Sequence, residues 1–222
     1  MGEAIDVTHD GIQVSGYLAA PEGTARAGLI VIQEWWGLND AIRGIADRFA
    51  AQGYLALAPD LYHGTLASEP DEAMKLMGAL DRQLAAREID AAIGWLKAER
   101  GVAKVGCTGF CMGGGLTLAT AARPTSTVDA VHVYYGVPFV TPDEVTAIHC
   151  PVMCSYGGED GLISGDQIDA LRQGLGDANV ANDIKVYEGA GHSFFNSGEA
   201  HHEASAADSW QRALSWFGEH LA

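Results

Sequence analysis

The chain has 222 residues, 48% of them hydrophobic, which suits one α/β domain with a full core and requires no second domain. Thirteen Lys and Arg against 29 Asp and Glu give a formal net charge of −16 with no basic cluster, so a nucleic-acid or anionic-membrane partner is not expected. No apolar run approaches the roughly 20 residues that span a bilayer, and Met1-Gly2-Glu3-Ala4-Ile5-Asp6 lacks the basic-then-apolar pattern of a signal peptide; a cytoplasmic monomer is the expectation.

Short β-rich runs alternate with helical patterns, which predicts βαβ units and a mostly parallel sheet flanked by helices on both faces. Ala4–Val7 and Ile12–Ala19 read as an antiparallel hairpin across His9-Asp10-Gly11. Gly28–Gln33 is an unbroken apolar run that predicts a strand buried on both faces. The recurrence of Ile42, Ile45, Ala46 and Phe49 predicts a helix capped by Asn39 or Asp40. Gly53–Ala58 is the next strand, followed by an irregular excursion from Asp60 to Leu80 that holds Pro70 and a weak helix; such excursions often shape a pocket. A helix through Ile89, Ala92, Ile93 and Leu96 leads to further strands at Lys104–Thr108, Asp129–Tyr135, Pro151–Tyr156 and Asp183–Tyr187. A helix near Glu203 to His220 buries Trp210, Ala213, Leu214 and Phe217.

Four cysteines, Cys107, Cys111, Cys150 and Cys154, make no disulfide framework, and their C-x3-C spacing matches no common zinc pattern. Cys107, Cys150 and Cys154 are expected to be buried small apolar residues. Cys111 differs because it sits in Gly109-Phe110-Cys111-Met112-Gly113, after a predicted strand and before a predicted helix, Leu116 to Ala122. This is the G-x-nucleophile-x-G elbow with cysteine at its centre. Its glycines make room for a strained strand-to-helix turn, the helix N-terminus favours a thiolate, and the Met112 N–H points at a developing oxyanion.

The partners follow in the order this elbow requires, acid and then histidine. Gly157-Gly158-Glu159-Asp160 follows one strand and Gly189-Ala190-Gly191-His192-Ser193-Phe194 follows another, both at strand C-termini. His192 is the candidate base and Asp160 the acid that orients it, with Glu159 as the competing acid. Glu34 ends an apolar strand beside Trp35 and Trp36; it is either an exposed loop glutamate or a carboxylate near the thiol, able to hold or receive its proton.

Together Gln33-Glu34-Trp35-Trp36-Gly37, Ala58-Pro59-Asp60-Leu61-Tyr62, Gly109-Phe110-Cys111-Met112-Gly113-Gly114, Tyr134-Tyr135-Gly136, Gly157-Gly158-Glu159-Asp160 and Gly191-His192-Ser193-Phe194 resemble the dienelactone hydrolases (carboxymethylenebutenolidases) along nearly the whole chain. The resemblance implies an α/β-hydrolase fold, a Cys111–His192–Asp160 triad, and hydrolysis of an ester or lactone through a thioester. It further implies that Glu34 meets the resting thiol, that Trp35 and Met112 supply the oxyanion N–H groups, and that Tyr134 is a pocket residue; Trp36 and Asn196 complete the candidate substrate contacts. It implies no metal and no organic cofactor. The chain departs from the family at the two arginines that clamp a substrate carboxylate. Asn196 stands where one belongs, and no arginine lies between Arg48 and Arg82 to supply the other. Lys75 could offer a single charge. The chemistry reads as retained and the substrate as changed, towards a less anionic ester or lactone. A non-catalytic ligand-binding or redox-sensing protein with a reactive thiol is the reading from another class.

Overall fold

The computed structural model describes residues 1–196 and 198–222. Strands β1 (Glu3–His9) and β2 (Ile12–Ala19) form the hairpin, closed by Asp10 and Gly11 at φ 47° and 76°. Positive φ at both turn residues matches the twist of the flanking strands, and Asp-Gly is a pair that adopts it readily. The remaining strands are β3 (Ala27–Ile32), β4 (Tyr54–Pro59), β5 (Val105–Phe110), β6 (Ala130–Tyr134), β7 (Val152–Gly157) and β8 (Asn182–Tyr187). They lie in the order β1-β2-β4-β3-β5-β6-β7-β8, antiparallel through β1, β2 and β4 and parallel from β4 to β8. This is an α/β-hydrolase fold.

The helices are α1 (Asp40–Ala50), α2 (Pro70–Ala79), α3 (Arg82–Arg100), α4 (Met112–Ala121), α5 (Pro142–Val145), α6 (Gly165–Asp177) and α7 (Glu203–His220). Asn39 caps α1 by accepting from the Ile42 N–H at 3.1 Å. Phe49 of α1 meets Trp210 and Phe217 of α7, whereas α3 and α4 pack against each other. Strand β5 shows how one sequence serves two layers: a side chain at Gly106 would strike Phe217 of α7, and Cys107 lies 3.7 Å from Thr117 of α4. β3, β4, β5 and β7 are buried throughout, as parallel strands covered on both faces must be.

Strand bounds differ from the sequence reading by a residue or two at most ends, but β1 runs longer by two at its C-terminal end, and β5 continues to Phe110, directly beneath Cys111. Helices α5 and α6 were not read from the sequence. α6 carries its own signals, apolar Ile168, Leu171 and Leu175 on one face and a reciprocal Ser164–Gln167 capping box. No described helix is long and apolar enough to cross a membrane.

Candidate active site

Cys111 is the hinge between β5 and α4, with φ 52° and ψ −115°, a conformation rarely open to a residue with a side chain. Its N–H donates to the Tyr134 carbonyl at 3.1 Å, and its own carbonyl accepts from Gly115 at 3.2 Å. The flanking glycines are required by contact. A Cβ on Gly109 would lie 2.2 Å from the Gly113 carbonyl oxygen, and one on Gly113 would lie 2.4 Å from the Gln33 carbonyl oxygen. Gly109→Ala must therefore push backbone against backbone, and it is expected to cost about 3 kcal/mol or more, read as a lower urea midpoint. An unchanged midpoint would show that the elbow can relax. Met112 opens α4, so its N–H lacks an intrahelical acceptor.

The acid and the histidine come from neighbouring strand ends. Asp160, buried after β7, accepts from the Leu162 N–H at 2.8 Å through one oxygen, and its other oxygen lies 2.7 Å from His192 Nδ1. Glu159 is exposed and takes no part in this contact. The loop carrying His192 is tied to the loop carrying Asp160 by the Gly158 N–H on the Tyr187 carbonyl (2.8 Å) and the Glu159 N–H on the Ala190 carbonyl (2.9 Å). Burial works against a charged imidazole at His192. Hydrogen bonding to Asp160 and the nearby Cys111 sulfur outweigh it and lift the ring to about 10, in favour of the imidazolium. Nε2 is buried and makes no hydrogen bond among the described residues.

Glu34 is buried at the end of β3, not exposed on a loop. Burial lifts its carboxyl to about 7, against the opposing pull of His192, Tyr135 and Asn196. Its neighbour Gln33 accepts from the Leu61 N–H at 3.2 Å, which fixes the start of the excursion beneath the site. Trp35 and Trp36 meet edge to face, 5.1 Å between centroids, and the Trp36 carbonyl accepts from Ala67 at 3.0 Å. The Tyr62 hydroxyl donates to Met112 Sδ at 3.3 Å.

Tyr134 is displaced from the role the sequence suggested. As the last residue of β6 it points into the core, fully buried, stacked on Phe110 at 4.5 Å and away from the cavity. The chain then turns at Tyr135, whose φ is 36°, and it is this tyrosine that lies 5.2 Å from the His192 ring and bears on Glu34. The sequence signal for Tyr135 was only the adjacency of two tyrosines, and nothing in it told which one the turn would redirect.

Glu34, Trp35, Trp36, Cys111, Met112, His192 and Asn196 all open onto one cavity of about 720 Å³. Lys75 is exposed and does not line it. Contributors not singled out in the sequence include Met74 and Met77 of α2, Val137 and Phe139 after β6, Leu162 after Asp160, and Arg82 at the start of α3. Arg82 lies just past the arginine-free excursion, and its guanidinium stacks 4.4 Å over the Phe139 ring. The arrangement brings together an elbow thiol, an imidazole held by a carboxylate, the N–H at the start of α4 and a second, buried carboxyl. Such a set can carry acyl transfer.

A family model described as "Dienelactone hydrolase family" matches residues 14–221. The chain is 34% identical to "Protein usf" of Aquifex pyrophilus and 31% identical to a provisionally named carboxymethylenebutenolidase of Aquifex aeolicus (strain VF5), each match covering 100% of both chains. Among solved structures, a provisionally named dienelactone hydrolase from Klebsiella pneumoniae superposes with a TM-score of 0.86 at 30% identity, covering 99% of each chain.

Proposed function

Because the chain belongs to the dienelactone hydrolase family and is a hydrolase of esters or lactones, we propose that it works through a Cys111–His192–Asp160 triad and a thioester. The observation that carries this reading is the 2.7 Å contact between Asp160 and His192 Nδ1, with buried Nε2 left free beside an elbow cysteine.

The thiol proton resides on His192, held there by Asp160, so the sulfur meets the substrate as a thiolate. It bonds to the carbonyl carbon, and the resulting oxyanion accepts from the N–H groups of Met112 and Trp35. Collapse breaks the acyl C–O bond while the imidazolium gives its proton to the departing oxygen, leaving an acyl thioester on Cys111. Neutral His192 then takes a proton from water as the water oxygen attacks that carbonyl. The C–S bond breaks, the carboxylic acid leaves, and the thiolate–imidazolium pair returns. Glu34, poised near 7 within reach of His192, can hold or release a proton at this site. Asn196 and the absence of a second arginine favour a less anionic substrate than a dienelactone.

The test is direct. Acid-quenched turnover of 4-nitrophenyl acetate, digested and weighed by mass spectrometry, is expected to show the acetyl group on the peptide bearing Cys111. Turnover without any acylated Cys111 peptide, even when deacylation is slowed at low pH, would overturn the thioester.

A further inference from the structure

Beside the triad candidates and the ionisable Glu34, Arg82 and Glu199, the lining of the cavity is rich in large apolar side chains: Trp36, Met74, Met77, Val137, Phe139 and Leu162. Met74 and Leu162 are 59% and 62% exposed, two of the few large apolar side chains the protein leaves in water, and both sit on this cavity. Apolar surface held open at a site is surface that a ligand can cover. The volume of about 720 Å³ also exceeds what a small lactone ring fills.

The cavity is divided by origin. Leu162, Asn196, Gly198, Glu199 and Ala200 belong to the loops that carry Asp160 and His192, the side where a leaving group must be protonated. Met74, Met77, Arg82 and Phe139 come from α2, α3 and the segment after β6, and they form the other side. Behind that side lies a second cavity of about 450 Å³, and Arg82 and Phe139 line both. Among the remaining walls of the second cavity are Ile89, Leu116, Ala119 and Ala122. Two stacked side chains thus stand between two spaces. Phe139 is pressed from behind by α4, where a Cβ on Gly115 would come within 2.6 Å of its ring.

Resting on the thioester reading above, we infer that the Arg82–Phe139 stack is the wall that sets acyl length: the enzyme takes esters of uncharged, apolar acids, whose chain runs from Cys111 along Trp36 and Met77 and ends at this pair. The guanidinium is engaged with the aromatic face, a single cation already occupied and short of the paired clamp a carboxylate calls for.

The experiment measures kcat/KM for the 4-nitrophenyl esters of acetate, butyrate, hexanoate, octanoate and decanoate, on wild type, Phe139→Ala and Phe139→Trp, each first shown folded by its melting curve. In the wild type, kcat/KM is expected to climb roughly threefold per buried methylene and then fall once the chain meets the wall. In Phe139→Ala the second cavity opens, and the octanoate-to-butyrate ratio is expected to rise by about tenfold or more, on the same per-methylene scale. In Phe139→Trp the maximum is expected to move to a shorter acid. An optimum unmoved in both variants, with acylation of Cys111 intact, overturns the wall alone. So does a shift seen only when the alcohol portion of the ester is lengthened. Absence of Cys111-dependent turnover of every ester by the wild type overturns the thioester reading and the wall with it.

Discussion

Replacing Cys111 by alanine is expected to lower ester hydrolysis by at least ~10⁴-fold, about 5.5 kcal/mol of transition-state stabilisation, while leaving the melting temperature nearly unchanged. The two halves of this expectation have different causes. Cys111 is only partly buried and opens onto the cavity, so removal of one sulfur takes little from packing. Its backbone already holds φ 52°, and alanine is no worse suited to that conformation than cysteine. On the proposed mechanism the chemistry, by contrast, loses its covalent carrier, and the N–H groups and the cavity alone provide the residue of catalysis. Cys111→Ser is the sharper companion, since it keeps the volume and exchanges a thiolate for a hydroxyl that His192 must deprotonate at the moment of attack. Alanine-variant activity within tenfold of wild type would exclude the nucleophile. A large loss of activity accompanied by an equally large loss of stability would contradict the second half of the expectation, because the activity change would then report unfolding.

The second large effect concerns Glu34. Its carboxyl sits at about 7 in the folded chain against 4.5 for the free group, chiefly because burial disfavours its charge. Between those two pH values the folded state binds more protons than the unfolded one, so this residue makes the protein lose stability as pH rises from 4.5 to 7. Above pH 7 the full penalty applies, on the order of 3 kcal/mol with the pull of His192 already included. Glu34→Gln is therefore expected to melt higher than wild type at pH 8 and to match it near pH 4. The same change should lower kcat/KM by about 10²-fold, the scale of a lost proton-handling group. Thermal melts at the two pH values and a pH–rate profile check both halves. If the variant is less stable than wild type at pH 8, the carboxylate is better compensated than its burial implies. Stability gained where activity is lost is the signature of a residue kept for its chemistry.

The legible parts of this fold are those written in local pattern. The 3.6-residue stripe of α7, the Asp-Gly hairpin and the continuous apolar run of β3 each need only neighbouring residues to declare themselves. The triad candidates were legible for a related reason. Elbow, acid and histidine all sit in glycine-rich loops directly after strands, and a parallel sheet delivers every strand end to the same edge. Arg82, Phe139 and Met77 were not legible, because what unites them is the packing of α3 beside α4 and the path of a loop after β6, which no local period encodes. Tyr134 and Tyr135 show the limit within a single dipeptide. Both are fully buried, yet one positive φ exchanges packing on Phe110 for a place beside His192 and Glu34. α6 was missed although its capping box and apolar face were present, a failure of reading and not of signal.

The four cysteines divide the molecule chemically. Cys107 in β5, Cys150 just before β7 and Cys154 within β7 are buried, and burial pushes their thiols up to about 12; only Cys111 reaches the cavity. A water-borne alkylating reagent therefore finds a single address on the native protein. The three silent sulfurs lie on the two strands that flank β6 and on the turn entering one of them, so their labelling would mark the sheet coming apart at its centre. Without any added probe, the chain carries one sulfur that reads its chemistry and three that read the integrity of the scaffold beneath it.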